Sequence, residues 1–333
     1  MTQKSELHIG VDIGGTKVAA GLVDASGEIV FRTRVPMNAH GTAAEGLASV
    51  ERAIGQVRAA HPDLEFGCVG ISAPGPLDPH AGIILDPPNV PCWRNYPLAR
   101  EVERVTGLQV RLDKDANAAG LAEAFWGAGR SFGEIFYVTI GTGIGSSFLR
   151  DGRIHYGRTG AAGEGGHMTI DYRGPRCACG KRGCIETLAA GPAIAARARE
   201  KIAGDTARGA RMLALAGGAA ENISAVTVAE AWRAGDELAR EVLEETWELL
   251  AVWLGNIIDL LEPEAIIVGG GVGELTSQGF DRIRAAMPRW SINPRWSEVR
   301  FLLARYGADA GIPGSAALCF APSTMPGSRV SES

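Results

Sequence analysis

Apolar and polar positions along the chain sort into strand-length runs and helix-length stripes. Leu7 to Asp12 and Val18 to Val23 read as strands joined by the tight turn Gly14-Gly15-Thr16-Lys17. After Asp24-Ala25-Ser26-Gly27, a third strand runs from Glu28 to Val35. Leu47, Val50, Ile54 and Val57 recur at helical spacing and predict a helix behind this meander. Phe66 to Ile71 predicts a buried strand, ended by Ser72-Ala73-Pro74-Gly75-Pro76. A second irregular loop, Asp86-Pro87-Pro88-Asn89-Val90-Pro91, precedes a helix over 97–106 and a short strand from Val110 to Leu112. Asp113-Lys114-Asp115-Ala116-Asn117 then opens an alanine-rich helix reaching Trp126.

The pattern begins again at Glu134 to Ile140, a strand ending in Gly141-Thr142-Gly143-Ile144-Gly145. A return strand through Ser146 to Leu149 turns at Arg150-Asp151-Gly152-Arg153. Val138-Thr139-Ile140-Gly141 echoes Val11-Asp12-Ile13-Gly14 at a separation of 127 residues. This weak repeat predicts two similar α/β halves, each giving a glycine-rich hairpin to a shared cleft, with a boundary near residues 115–130. Further on, the pattern predicts a helix over 188–202 and a mobile Gly/Ala-rich connection over 204–225. A long helix then runs from Asp236 to Leu261 with Leu238, Val242, Leu249, Trp253, Ile257 and Leu260 as its apolar stripe. Ala265 to Val268 is a strand, Gly269-Gly270-Gly271-Val272-Gly273 opens a helix, Val299 to Leu303 is the last strand, and Gly311 to Phe320 a terminal helix before a frayed tail.

Composition narrows the class. A chain of 333 residues, 46% hydrophobic and 21% charged, has room for two globular domains. The net charge of −5 and the lack of a basic block speak against a nucleic-acid partner. No apolar run approaches the ~18 residues a membrane span needs, and the polar start Met1-Thr2-Gln3-Lys4-Ser5-Glu6 is unlike a signal peptide. Cys68, Cys92 and Cys319 are scattered without the density of a disulfide framework, which points to a reducing, cytoplasmic setting.

The remaining cysteines carry the strongest chemical signal. Cys177, Cys179 and Cys184 fall within eight positions, with His167 ten residues upstream. Three thiolates and an imidazole at such spacings can close a tetrahedral Zn²⁺ site with no position left for water, so the metal would be structural. The alternative is reduced core cysteines beside a loop histidine; crowding into a Gly-, Arg- and Lys-rich loop argues against it. Glu164 and Glu186 flank the ligand set, an arrangement suited to binding hydroxyls.

Three glycine-rich turns, at Gly14-Gly15, Gly141–Gly145 and Gly269–Gly273, each follow an apolar strand, as phosphate-binding loops do. None has the Gly-Lys-[Ser/Thr] ending of a Walker A loop. A dinucleotide-binding reading of Gly141–Gly145 fails on spacing and on the strand that follows, although Glu164 stands where a ribose-binding acid might. Asp12 and Asp115 sit at strand ends. Asp12 would suit Mg²⁺, or else stabilise a turn; Asp115 could take a proton from a substrate hydroxyl, a role compatible with capping a helix.

Asp12-Ile13-Gly14-Gly15-Thr16-Lys17, Lys114-Asp115-Ala116-Asn117, Gly141–Gly145, Glu164-Gly165-Gly166-His167 and the cysteine cluster ending in Glu186 occur in this order from residue 7 to about 320. Together they resemble the ROK family of sugar kinases, most closely its bacterial glucokinases. The cluster with Glu186 is specific to that family, whereas the glycine loops belong to the wider sugar kinase, heat-shock protein and actin superfamily. The resemblance implies an actin/hexokinase-like ATPase fold of two α/β domains with a nucleotide and sugar cleft between them. Residues 1–116 would form the small domain, joined by about 300–333 returning, and 117–299 the larger one with the zinc loop. It further implies ATP, Mg²⁺ and structural Zn²⁺, a hexose phosphorylated at its 6-hydroxyl with Asp115 as base, and a homodimer.

By the same resemblance Gly75, Asn89, Glu164, His167 and Glu186 contact the sugar, His167 serving metal and sugar through one ring nitrogen each. Gly14, Gly15, Thr16 and Lys17, with Thr142 and Gly143, line the phosphate path, and Gly270 and Gly271 the adenosine side. Three positions depart from the family pattern. Lys114 replaces an Asn expected to touch a sugar hydroxyl and bears on hexose specificity; it is expected to turn away or to pair with Asp113 or phosphate. Gly165 replaces an apolar residue, which is expected to loosen its loop, and Ser146-Ser147 replace smaller Gly or Ala. Competing readings are a kinase of N-acetylmannosamine or another hexose, a sugar-sensing repressor, and a non-catalytic sugar-binding protein. The repressor reading is set aside because only six residues precede Leu7, too few for a helix-turn-helix module.

Overall fold

A computed structural model of the chain describes residues 7–321. The polar start at residues 1–6 and the tail expected to fray after Ala321 lie outside the described residues. The chain divides into two units. One comprises the residues up to Trp126, Tyr156–Ala162 and those from Ala310; the other comprises Gly127–His155 and Gly163–Asp309.

The first unit is built on a five-stranded sheet. β1 (His8–Ile13), β2 (Lys17–Val23) and β3 (Ile29–Pro36) form the antiparallel meander read from the sequence. β4 (Cys68–Ala73) lies parallel to β1, running two residues past the predicted stop before Pro74 ends it. A small hairpin of β5 (Leu77–Asp78) and β6 (Ile83–Ile84) follows, and β7 (Gln109–Lys114) completes the order β3-β2-β1-β4-β7. α1 (Ala43–Ala60) starts at a capping box: Glu45 N–H donates to the Thr42 hydroxyl at 3.2 Å, and Thr42 N–H to the Glu45 carboxylate at 2.7 Å. It buries Leu47, Val50, Ile54 and Val57, the face its spacing marks out. α2 (Leu98–Thr106) and α3 (Asp115–Phe125) flank β7 in sequence.

The last helix, Gly311–Phe320, lies directly on β1 and β4. A Cβ placed on Gly70 would sit 1.7 Å from the Ser315 carbonyl oxygen, so a bare backbone is what lets helix and sheet approach. The Ser315 hydroxyl donates to Val11 O at 2.8 Å. The same contact corrects the reading of the scattered cysteines. Cys68 on β4 and Cys319 on this helix form a disulfide with Cα atoms 6.0 Å apart; their separation of 251 residues hides the pairing from any local reading.

The second unit repeats the arrangement. β8 (Glu134–Ile140), β9 (Ile144–Arg150) and β10 (Arg153–Ile154) are antiparallel neighbours. α4 (Ile185–Ala189), α5 (Gly191–Gly204), α6 (Ala210–Leu215), α7 (Ala225–Arg233) and α8 (Glu237–Leu261) follow, then β11 (Ala265–Gly269), α9 (Gly273–Ser277), α10 (Phe280–Trp290) and β12 (Arg300–Leu303). The sheet order is β10-β9-β8-β11-β12, with β11 and β12 parallel to β8, so the weak sequence repeat extends to strand order and direction.

α8 is capped by Asp236, whose carboxylate accepts from Ala239 N–H at 2.8 Å, and it stops at Glu262 (φ 44°) ahead of Pro263. Its buried side chains include Leu238, Val242, Trp253 and Ile257, but Leu260 is 72% exposed and is no part of the core stripe. Two further expectations are corrected. The helix read as 188–202 is split into α4 and α5, with Pro192 at the start of the second. The supposed mobile connection contains α6 and a 3₁₀ turn at Ala220–Asn222, anchored by the fully buried Met212. Among the described residues no helix is long and apolar enough to cross a membrane.

The glycine contact gives a direct test. Gly70→Ala should lower the free energy of unfolding by about 3 kcal/mol through overpacking against Ser315. Gly55→Ala, at an exposed α1 position with no atom within 4 Å of its Cβ, should raise stability by up to ~1 kcal/mol. Urea unfolding of the two variants checks both signs.

Candidate active site

The cysteine loop is held by two isolated antiparallel bridges, Thr169 with Cys184 and Arg176 with Arg182. Gly183 lies at φ 60°, where a Cβ would fall 1.5 Å from the Asp171 carbonyl oxygen; only glycine fits this turn. His167 closes the 3₁₀ turn Gly165–His167, and Lys181 Nζ donates to its carbonyl oxygen at 2.6 Å. The ligand atoms of His167, Cys177, Cys179 and Cys184 all lie within 4.8 Å of one another. Cys177 Sγ is 3.6 Å from His167 Nδ1, and Cys179 Sγ is 3.7 Å from Cys184 Sγ. A tetrahedral Zn²⁺ with bonds of about 2.3 Å to sulfur has S···S edges of about 3.8 Å, so this donor set fits a closed zinc site. Burial, with Cys179 and Cys177 alongside, pushes the Cys184 thiol up to about 12. A cation entering the cluster would displace such protons.

Glu186 opens the first turn of α4, two residues beyond Cys184. Its Oε2 accepts from Ile144 N–H at 2.9 Å, and its Oε1 lies 3.9 Å from Cys177 Sγ. A Cβ on Gly143 would come within 2.4 Å of that Oε2. The second glycine turn and the cysteine loop, read from sequence as separate devices, thus meet at one carboxylate. The turn is closed by Gly141 N–H to Gly143 O at 2.9 Å and leaves Thr142 exposed. Gly191 N–H donates to Gly141 O at 2.9 Å and Val272 N–H to Ile140 O at 2.8 Å, drawing the start of α5 and the Gly269–Gly273 turn to the same place. Gly270 has φ 84° and packs on Ile140, while Gly271 faces open space. Thr142, Gly143, Gly270 and Gly271 therefore gather at the C-terminal ends of β8 and β11, the edge where ligands of α/β sheets collect. Glu164 is exposed, between Gly163 and the buried Gly165.

In the first unit Asp12, the last residue but one of β1, lies beside Ser72, whose hydroxyl donates to Oδ1 at 3.1 Å. Burial pushes the Asp12 carboxyl above its ordinary value, opposed by the Ser72 hydrogen bond and the Lys17 charge. Gly14 N–H closes the turn on Lys17 O at 2.9 Å, leaving Thr16 and Lys17 exposed. Gly15 lies under the Asn89 backbone, where a Cβ would be 2.7 Å from Asn89 O. The irregular loop at residues 86–91 is thereby seated on the first glycine turn.

Gly75 packs against the stem of Lys114, with Cδ 3.6 Å from where its Cβ would be. Lys114 is buried, and its Nζ donates to Ala162 O at 2.8 Å, a partner the sequence reading did not foresee. Asp115 is exposed at the first position of α3, with Oδ1 accepting from Ala116 N–H at 2.7 Å. Beneath it lies a hydrogen-bond network that sequence reasoning missed. Asp113, fully buried, accepts from Lys114 N–H at 2.7 Å, from Asn117 Nδ2 at 2.8 Å and from the Tyr156 hydroxyl at 2.7 Å. Burial raises Asp113 and, with Asp113 beside it, also the Tyr156 hydroxyl. The only sequence signal for this network is a second aspartate two residues before the candidate base; its tyrosine partner lies 43 residues away.

Comparison with known proteins matches this arrangement over nearly the whole chain. The ROK family model covers residues 8–321. The glucokinase of Streptomyces coelicolor is 33% identical over 317 residues, 95% of this chain and 98% of that protein. The N-acetylmannosamine kinase of Salmonella typhi is 29% identical over 310 residues, covering 93% and 97%. Among solved structures, a ROK family glucokinase from Streptomyces griseus in complex with glucose and AMPPNP aligns with a TM-score of 0.80 at 35% identity, over 94% of this chain and 99% of that one. With the glycine turns, the aspartate-led α3 and the Cys₃His loop in the expected order, the chain belongs to the ROK family.

Proposed function

We propose that the chain transfers the γ-phosphoryl group of ATP to the 6-hydroxyl of a hexose, with glucose as the preferred acceptor. The observation that carries this reading is the exposed Asp115 carboxylate on a helix start fixed by the buried Asp113. Likeness to a glucokinase solved with glucose and AMPPNP supports it. Asp115 accepts the hydroxyl proton as the sugar oxygen bonds to the γ-phosphorus. The bond from that phosphorus to the β,γ-bridging oxygen breaks, and ADP leaves. Gly75, Asn89, Glu164, His167 and Glu186 hold the hexose. Gly14, Gly15, Thr16 and Lys17, with Thr142 and Gly143, line the phosphates, and Gly270 and Gly271 leave room for the adenosine.

Asp12 would hold Mg²⁺ directly or through water, and the cation would offset phosphate charge. The Cys₃His set would hold Zn²⁺ with no open coordination position, so the metal orders the loop and the chemistry belongs to the side chains. A homodimer completes the reading.

Lys114 favours a second reading. Its amine is engaged by the Ala162 carbonyl, so the amide that the family resemblance places beside the base is missing, and a kinase of N-acetylmannosamine or another hexose fits the same scaffold. A coupled assay across glucose, mannose, fructose, N-acetylglucosamine and N-acetylmannosamine decides. Activity on none of them would favour a non-catalytic sugar-binding protein.

Two variants test the assigned roles. Asp115→Asn should reduce kcat by about 10³-fold while unfolding and zinc content stay at wild-type values; near-normal turnover would remove Asp115 as the base. Cys177→Ser should lose zinc, measured by elemental analysis, together with at least about tenfold in hexose affinity. A fully active wild-type protein without zinc would sink the structural-metal role.

A further inference from the structure

Two of this chain's departures from the family pattern, Gly165 and Ser146, touch each other. Ser146 lies on β9 opposite Val138 and is buried. Its hydroxyl donates to Gly163 O at 2.7 Å and accepts from Gly165 N–H at 2.9 Å. Those two peptide groups flank Glu164 on either side, so one hydroxyl spans the residue from below while its side chain stays exposed. A Cβ added at Gly165 would sit 2.6 Å from this same Ser146 Oγ, and 3.3 Å from Phe136 and Trp253. The hydroxyl therefore occupies space that a side chain at position 165 would need. The loop is not loosened by Gly165, as its sequence suggested; the missing side chain admits a hydrogen-bonded clamp. Two residues before Ser146 on the same strand, Ile144 O would be struck at 1.8 Å by a Cβ at Gly166, so the loop has no room to shift towards β9.

We propose that Ser146 is a positioning residue that fixes the Glu164 carboxylate, and that Ser146 and Gly165 form one steric and hydrogen-bonding unit that must be exchanged together. The consequence for sugar affinity rests on the hexose-kinase reading above; the clamp itself does not.

The experiment has two arms. In the first, amide hydrogen exchange of the full-length protein without substrate is followed at Gly165. Protection should fall by about tenfold or more in Ser146→Ala, which removes only the hydroxyl. In the second, steady-state kinetics should show the hexose KM of Ser146→Ala rising by about tenfold, with kcat and the KM for ATP changing less than about threefold. Gly165→Ala should raise the hexose KM further than this in the wild-type background yet add little in a Ser146→Gly background, where the clashing oxygen is gone. Unchanged protection, equal loss for both substrates, or additive effects of the two substitutions would each overturn the proposal. Lost protection in a protein whose wild type phosphorylates no hexose would leave the clamp standing and overturn the hexose reading with its predicted change in affinity.

Discussion

A loop as polar as residues 171–183 cannot be ordered by burial of apolar surface, because it has little to bury. Two backbone bridges hold it, and three sulfurs and one imidazole converge within 4.8 Å. Burial raises the Cys184 thiol, and a cation entering between the four donors would take the place of its proton. Everything nearby depends on that convergence. Glu186 follows Cys184 so closely that fixing one fixes the other, and its carboxylate in turn accepts the Ile144 N–H that ends the second glycine turn. A metal held by these four donors would in this way set the position of the Glu186 carboxylate and of the second glycine turn in one step.

The glycines do a second kind of work, which is to remove atoms. Gly143 is bare where the Glu186 carboxylate lies, Gly15 where the Asn89 backbone lies, and Gly70 where the last helix lies. In each case the missing Cβ lets two segments distant in sequence approach closely, against a side chain at Gly143 and against main chain at Gly15 and Gly70. Glycine-rich turns are usually read as phosphate cradles, and the exposed tips that such a role needs are here Thr142 and Gly271. Gly15 and Gly143, half-buried beside exposed tips, are packing devices.

How much of this was legible follows from how local each feature is. The hairpins β1–β2 and β8–β9, the α1 face of Leu47, Val50, Ile54 and Val57, and the metal-ligand spacing all lie within a few turns of chain, so periodicity and spacing expose them. The Cys68–Cys319 disulfide, the Tyr156 hydroxyl on Asp113 and the Ser146 hydroxyl beneath Glu164 join residues 251, 43 and up to 19 positions apart, and no local pattern encodes them. α6 was missed for a different reason. Six residues in an alanine- and glycine-rich stretch give too few apolar positions to show a period, and the helix exists because Met212 finds a buried site.

Lys114 shows why a substitution has to be judged by its partner. Read as a residue type, a lysine in place of an amide beside Asp115 is expected to turn away or to pair with Asp113 or phosphate. In the fold its stem lies along Gly75 and its amine ends on the Ala162 carbonyl, while the neighbouring Asp113 spends its hydrogen bonds on Lys114 N–H, Asn117 and Tyr156. The side chain thus pins the segment Tyr156–Ala162 at one end, as Tyr156 does at the other. That segment leads directly into Gly163 and Glu164. A change at position 114 therefore acts on the placement of backbone as well as on charge, and its effect is judged by the geometry of this pinned segment.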